Sequence, residues 1–112
     1  MNLLIVILKK ADFVTEICKE LAEEGIHGGT ILDGTGMASI IEQMDDLPIF
    51  GMLKAILADD DENETVKTML FVMSDEEMVA ARKIIRNVIG LDEPNTGIMF
   101  AVPVTFVEGL GA

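Results

Sequence analysis

Two stretches of this chain are apolar at consecutive positions, and this feature restricts the fold more than any other. Residues 2 to 8 read NLLIVIL, and residues 65 to 73 read TVKTMLFVM. In neither stretch do apolar and polar residues alternate, as they do in a strand that has one face in water. Both stretches therefore predict strands of a sheet that is covered on both faces.

The first strand is followed by a helix and a second strand. Asp12 is predicted to cap a helix that runs to Glu24, with an apolar face at spacings of four. Gly25 follows where a left-handed C-terminal residue belongs. Residues 28 to 34, GGTILDG, then predict a shorter strand that is bounded by glycines and is partly polar.

The strand at 65 to 73 is followed by the strongest local signal in the chain. Ser74 and Glu77 have the spacing of a capping box, and the helix that they start is predicted to end at Gly90. Residues 98 to 107, IMFAVPVTFV, predict the last strand. Because Pro103 has no N–H to donate, that end of the strand is predicted to lie at a sheet edge or a bulge.

The resulting order is β-α-β-β-α-β, which predicts a single α+β domain over residues 1 to 112. This order is that of the ferredoxin-like fold, an antiparallel sheet with two helices on one face. The first, third and fourth strands nevertheless have apolar residues at both odd and even positions, and so on both faces of the sheet. The face without helices therefore needs another cover, and a further copy of the same chain is the simplest one.

The middle segment, residues 37 to 64, is too apolar for a simple loop. Ile40, Ile41 and Met44 have helical spacing, and one or two short helices are predicted here. A strand at 50 to 57 is the competing interpretation. Residues 59 to 64, DDDENE, predict a solvated turn, because the spacing of a calcium loop is absent.

Composition excludes several classes of partner. The net charge of −12 is opposite to what binding of nucleic acid requires. The apolar run at 3 to 8 is too short to span a membrane, and its lysines follow it, unlike those of a signal peptide. With one cysteine, Cys18, no internal disulfide can form, which favours a cytoplasmic protein.

Three stretches resemble the PII nitrogen-regulatory signalling family. GIHGGTILDGTG (25 to 36) resembles its second strand and the glycine pair before its long T-loop, and TVKTMLFVMSDEE (65 to 77) resembles its third strand and second helix. TGIMFAVPV (96 to 104) resembles its glycine-rich B-loop and fourth strand. The resemblance implies a homotrimer with a central barrel of sheets and ligand clefts between subunits. It also implies that residues 37 to 64 contact a target protein.

The chain departs from the family at its charged positions. Ile98 stands where the family has the B-loop lysine, and Gly109 and Gly111 stand near its two arginines. Met37 and Ala38 stand where the glutamine that helps to hold magnesium and 2-oxoglutarate is expected, and the chain contains no tyrosine to modify. Binding of magnesium ATP is therefore disfavoured, since a triphosphate needs cationic partners.

The residues that remain for a ligand site are mainly glycines and threonines. A nucleoside or a nucleoside monophosphate fits such a lining better than ATP, and the effector is otherwise open. Binding of ATP would require other cations to reach the phosphates, such as Lys9, Lys10 or Lys54 of a neighbouring subunit. The predicted ligand-binding residues are Thr30, Asp33, Gly34, Gly36, Thr96 and Gly97.

Three further polar residues have a structural and a functional interpretation. Asp33 is either an edge-strand charge or a ligand contact. Cys18 is expected to fill a core position, the alternative being a reactive thiol. His27 is expected at the surface or in a capping role, the alternatives being a metal ligand or a pH sensor.

The sequence contains no catalytic constellation, so an enzyme is not expected. The favoured function is a trimeric PII-like regulator that binds a small effector and acts on a partner protein. The alternative is a structural or metal-tolerance trimer of the same fold that binds no nucleotide.

Overall fold

In the computed structural model the chain forms an α+β structure, described over residues 1–9, 11–42, 65–90 and 96–110. The predicted α+β class is confirmed. The interpretations that concern residues 43 to 64 lie outside the described residues. The described elements are, in chain order, β1 (Asn2–Leu8), α1 (Asp12–Glu23), β2 (Gly29–Gly34), α2 (Met37–Glu42), β3 (Val66–Met73), α3 (Asp75–Ile89) and β4 (Gly97–Pro103).

The four strands form one antiparallel sheet in the order β2-β3-β1-β4. β1 lies between β3 and β4, and Ile5 at its middle pairs with Leu70 on one side and Phe100 on the other. Among the described strands, β2 and β4 are the two edges of the sheet. The edge position of β4 confirms the prediction made from Pro103.

The hydrophobic core lies between one face of the sheet and helices α1 and α3. Alternate residues of β1 and β3 point to this face, and the two helices contribute residues three or four positions apart, as amphipathic helices do. The largest of these side chains are almost fully buried. The core residues from these elements are Leu4, Val6, Leu8, Ile17, Leu21, Met69, Phe71, Met73, Ala81, Ile85 and Ile89.

Neither α1 nor α3 covers the opposite face of the sheet, which is also apolar. Ile98, Phe100 and Val102 of β4 are 57%, 44% and 42% exposed, and the central residues of β1 and β3 on this face are only half-buried. The prediction that these strands are apolar on both sides is therefore confirmed. We call this surface the open sheet face; it comprises Leu3, Ile5, Ile7, Leu32, Val66, Leu70, Val72, Ile98, Phe100 and Val102.

The start of α1 differs from the prediction. Asp12 is the first helical residue rather than the cap; the cap position is Ala11, whose side chain makes no hydrogen bond. The reason is that the turn closes one residue earlier, where the Val14 N–H donates to the Ala11 carbonyl. Asp12 still stabilises the helix start, because a carboxylate in the first turn interacts favourably with the helix dipole.

β4 is shorter than predicted, since it ends at Pro103 rather than at residue 107. Its partner determines this length. Pro103 pairs with Asn2, the first residue of β1, and one further bond runs from the Val104 N–H to the Met1 carbonyl. The pairing of β4 with β1 ends there, and the strand ends with it.

The capping box at the start of α3 is confirmed. The Ser74 hydroxyl accepts from the Glu77 N–H at 3.2 Å, and the Glu77 carboxylate accepts from the Ser74 N–H at 3.1 Å. The helix ends at Gly90, as predicted, and this glycine has a left-handed conformation with φ 54°. Both helix ends were recognisable because the signals for them are local.

Replacing Ser74 by alanine is expected to lower the free energy of unfolding by about 1 kcal/mol, because the N–H of Glu77 loses its acceptor. Urea unfolding at fixed protein concentration measures this loss. Ser74→Asp is the control, since aspartate also accepts at this position and is expected to keep most of the stability. Equal stability of Ser74→Ala and the native chain would show that the box contributes nothing.

Candidate functional site

Glycines that were predicted to bind a ligand lie together at one end of the sheet. The antiparallel register places Gly34, the last residue of β2, opposite Val66 at the start of β3. It also places Leu8, the last residue of β1, opposite Gly97 at the start of β4. The two glycines end edge strands that are three strand spacings apart, about 14 Å.

Between them lies a cavity of about 560 Å³. Three of the six predicted ligand-binding residues line it, namely Gly34, Gly36 and Gly97. We call it the glycine cleft. It is lined by Ile7, Lys9, Gly34, Thr35, Gly36, Val66, Thr68, Gly97 and Ile98.

The glycine cleft opens on the side of the sheet that α1 and α3 leave uncovered. Ile7, Val66 and Ile98 belong to the open sheet face, and Thr68 shares their side because it lies two residues after Val66 in β3. The cleft is therefore continuous with the open sheet face. A second copy that covered this face would also reach the rim of the cleft.

Gly97 is needed for the close approach of β4 to β1 at the cleft. Its φ is 153°, which side chains rarely adopt, and a Cβ on it would overlap the Ile7 carbonyl oxygen and lie 3.2 Å from the Leu8 Cα. Gly34 is less restricted, because the nearest atom to a Cβ there is a methyl carbon of Val66, at 3.2 Å. The backbone at Gly97 therefore forms part of the cleft wall in a way that no other residue allows.

Lys9 is the one cationic residue among the described residues that line the glycine cleft. It follows β1 directly, is half-buried, and its backbone N–H donates to the Thr96 carbonyl at 3.1 Å. From the sequence, Lys9 was expected to reach the site only from a neighbouring subunit. Lys9 lines the cleft of its own chain because the end of β1 lies beside the start of β4. This contact joins distant parts of the sequence.

Thr96 lies behind the cleft wall rather than on its surface. The residue is buried, and its hydroxyl donates to the Gly90 carbonyl at 3.5 Å. Together with the bond from the Lys9 N–H, this contact joins the end of α3 and the end of β1 to the start of β4. Thr96 therefore positions Gly97 and Lys9.

The structure does not bring Thr30 or Asp33 into the glycine cleft of their own chain. Thr30 is exposed on the same side of the sheet as Leu70, but it lies four residues, about 13 Å, before Gly34. Asp33 points to the side of the helices and forms an ion pair with Lys67. Successive strand residues face opposite ways, so Asp33 and Gly34 cannot share one face.

The lining of the cleft defines what it can bind. Apolar side chains of Ile7, Val66 and Ile98 offer contact to a planar or aliphatic group, and the hydroxyls of Thr35 and Thr68 can donate or accept hydrogen bonds. One lysine can balance one negative charge. The described lining residues include no carboxylate, imidazole or thiol, so they offer no acid–base pair or strong nucleophile.

Cys18 and His27 line a different cavity. It has a volume of about 230 Å³, lies between α1 and the edge strand β2, and is mostly apolar. Cys18 is half-buried there and packs against the core, whereas His27 is exposed. The two residues are on the helix side of the sheet, away from the glycine cleft.

The structure describes residues 1–9, 11–42, 65–90 and 96–110. Within these ranges no group of three or more His, Cys, Asp and Glu side chains is placed to hold a metal ion. Within the same ranges no helix has the length and apolarity needed to cross a membrane.

Comparison of the sequence with models of known protein families gives no match, and comparison with curated proteins gives no significant match.

Proposed function

We propose that this chain is a PII-like regulatory protein that forms a homotrimer and binds a small, weakly anionic effector in the glycine cleft. The observation that carries the proposal is the position of Gly34, Gly36, Gly97 and Lys9 around one cavity at the end of the open sheet face. The sequence stretches that resemble the PII family supply these glycines. In this function the protein acts in the cytoplasm on a partner protein.

The ferredoxin-like fold is part of the proposal. The described strands and the two long helices follow one another as β-α-β-β-α-β, with the short helix α2 (Met37–Glu42) inserted between β2 and β3. The sheet order β2-β3-β1-β4, with both long helices on one face, supports this fold. The insertion begins where the resemblance expects the segment that contacts a target.

The proposed trimer follows from the open sheet face. Its β4 residues Ile98, Phe100 and Val102 are 42% to 57% exposed in the single chain, and adjoining exposed apolar side chains are typical of an interface. Another copy of the same chain offers a surface of matching chemistry, and a closed ring of three leaves no copy with an uncovered face. The cleft at the edge of this face would then lie between neighbours, where the exposed Thr30 of one copy can approach the cleft of the next.

The proposed effector carries little negative charge. Lys9 can make one charge-assisted contact, whereas a triphosphate brings several charges to a chain of net charge −12. Each missing contact of this type lowers the binding free energy by roughly 1.5 to 3 kcal/mol, and every 1.4 kcal/mol is a factor of about ten in affinity. The apolar wall suits a nucleobase, so a nucleoside or nucleoside monophosphate is the effector class that fits best.

Isothermal titration with adenosine, AMP, ADP and ATP, each with and without magnesium, tests the proposal. We expect AMP and adenosine to bind more tightly than ATP, without a requirement for magnesium. Lys9→Met should weaken AMP about tenfold, since it removes one charge-assisted contact, and should leave adenosine nearly unchanged. Lys67→Met is the matched control, because Lys67 lies on the helix side beside Asp33, and neither titration should change.

Two outcomes would contradict this proposal. Tight, magnesium-dependent binding of ATP would mean that more cations than Lys9 reach the cleft. If none of the four ligands binds, the hypothesis of a nucleoside or nucleotide effector is excluded. The alternative, a structural or metal-tolerance trimer, is then favoured.

A further inference from the structure

The outer edge of β4 is the feature of the described sheet that can accept another strand. The bonds from the Lys9 N–H to Thr96 and from the Val104 N–H to Met1 show that the even-numbered residues of β4 face β1. The odd-numbered residues therefore point their N–H and C=O groups away from the sheet. Among the described strands, none pairs with this edge.

A groove runs beside this edge on the helix side of the sheet. It has a volume of about 340 Å³, and its floor is apolar. Arg82 and Arg86 of α3 line it, and both are exposed. Its lining residues are Leu4, Met78, Arg82, Arg86, Met99, Phe100 and Ala101.

Arg82 and Arg86 are the only arginines in a chain of 20 acidic and 8 basic residues. Neither forms an ion pair with a carboxylate of the described residues. They are one helical turn apart, about 6 Å along the axis, and alternate residues of a strand recur at about 7 Å. Two carboxylates at alternate positions of an added strand would therefore match the two guanidinium groups.

We propose that the β4 edge binds an extended peptide, added as an antiparallel fifth strand, with acidic side chains at alternate positions. The acidic residues face the groove and reach Arg82 and Arg86. The residues between them are apolar, because they continue the open sheet face beside Phe100. Main-chain hydrogen bonds to Met99 and Ala101 align the peptide with β4, as in other complexes formed by strand addition. This inference does not depend on the effector of the glycine cleft.

The opposite edge of the sheet does not offer the same chemistry. Asp33 of β2 is already paired with Lys67, and the neighbouring end of α1 carries Glu23 and Glu24. An acidic peptide would be repelled there. The charge of the groove therefore selects β4 as the edge for an acidic partner.

The test uses a fluorescein-labelled seven-residue peptide that alternates valine and glutamate, with blocked ends, titrated at 0.15 M salt by anisotropy. The counterpart has lysine in place of glutamate. We expect the glutamate peptide to bind more tightly, although the net charge of −12 favours the lysine peptide in the bulk field. A preference for the lysine peptide would overturn the proposal.

Charge variants locate the site on α3. Arg82→Glu is expected to weaken the glutamate peptide at least about tenfold, because a charge-assisted contact becomes a repulsion. Lys83→Glu makes the same change of net charge, but Lys83 does not line the groove, so less than about a threefold loss is expected. Equal losses in the two variants would show that only the overall charge matters, which contradicts a site at this groove.

Backbone variants test the strand addition. Ala101→Pro removes an outward N–H, and Pro103 already occupies a position of the same parity in this strand, so the fold should be kept and binding lost. A peptide N-methylated at its glutamates should lose binding, whereas one methylated at its valines should keep it. Unchanged binding of the glutamate-methylated peptide would exclude strand addition. Dissociation of the native assembly by Arg82→Glu would assign the edge to another copy of the chain instead.

Discussion

Phe100→Asp is expected to convert the proposed trimer into single chains. Phe100 lies on the outer strand of the open sheet face and is 44% exposed in the isolated chain, so the substitution costs the fold of one chain little. In an apolar interface between copies the same carboxylate would be desolvated without a partner, at a cost of about 3 to 5 kcal/mol per interface. The molar mass measured by light scattering after size exclusion should fall from that of three chains to the 12.2 kDa of one chain.

Val79→Asp is the matched control for this experiment. Val79 is 57% exposed on α3, away from the sheet, and its replacement adds the same charge to the chain. The assembly should keep its mass. If Phe100→Asp also keeps the native mass, or if the native chain is already a monomer at micromolar concentration, another copy does not cover the open sheet face.

The elements that the sequence predicted well are those with local signals. β1 was predicted at its observed bounds, and α3 was recognised from its capping box and from Gly90, because these signals depend on neighbouring residues. The end of β4 was not predictable in this way. It depends on which residue of β1 lies opposite, and that register is a contact between the two ends of the described chain.

The candidate site was predicted in part for the same reason. Gly34, Gly36 and Gly97 were predicted from short local stretches that resemble the glycine-rich segments of the PII family. Lys9 was missed because its place in the cleft depends on the pairing of β1 with β4. The side to which Asp33 points could have been foreseen, since it alternates with Gly34 along one strand.

The proposed docking edge on β4 could not be foreseen from the residues that form it. Arg82 and Arg86 have the spacing of a helix face, which normally indicates a solvated surface. Their significance comes from the position of α3 beside an edge strand. The two proposed surfaces, the glycine cleft and this edge, both include residues of β4.

Gly97→Ala is expected to lower the free energy of unfolding by about 2 to 5 kcal/mol, from backbone strain and overlap together. The added Cβ would overlap the Ile7 carbonyl oxygen at φ 153°, so β4 must move away from β1 or the backbone must change conformation. The effector affinity should fall as well, because the same backbone forms the cleft wall.

Gly28→Ala is the matched control: nothing lies within 4 Å of its Cβ, and the stability should change by less than about 0.5 kcal/mol. Urea unfolding at one fixed protein concentration measures both variants, and a Gly97→Ala protein as stable as the Gly28→Ala protein would show that β4 does not approach β1 as closely as described.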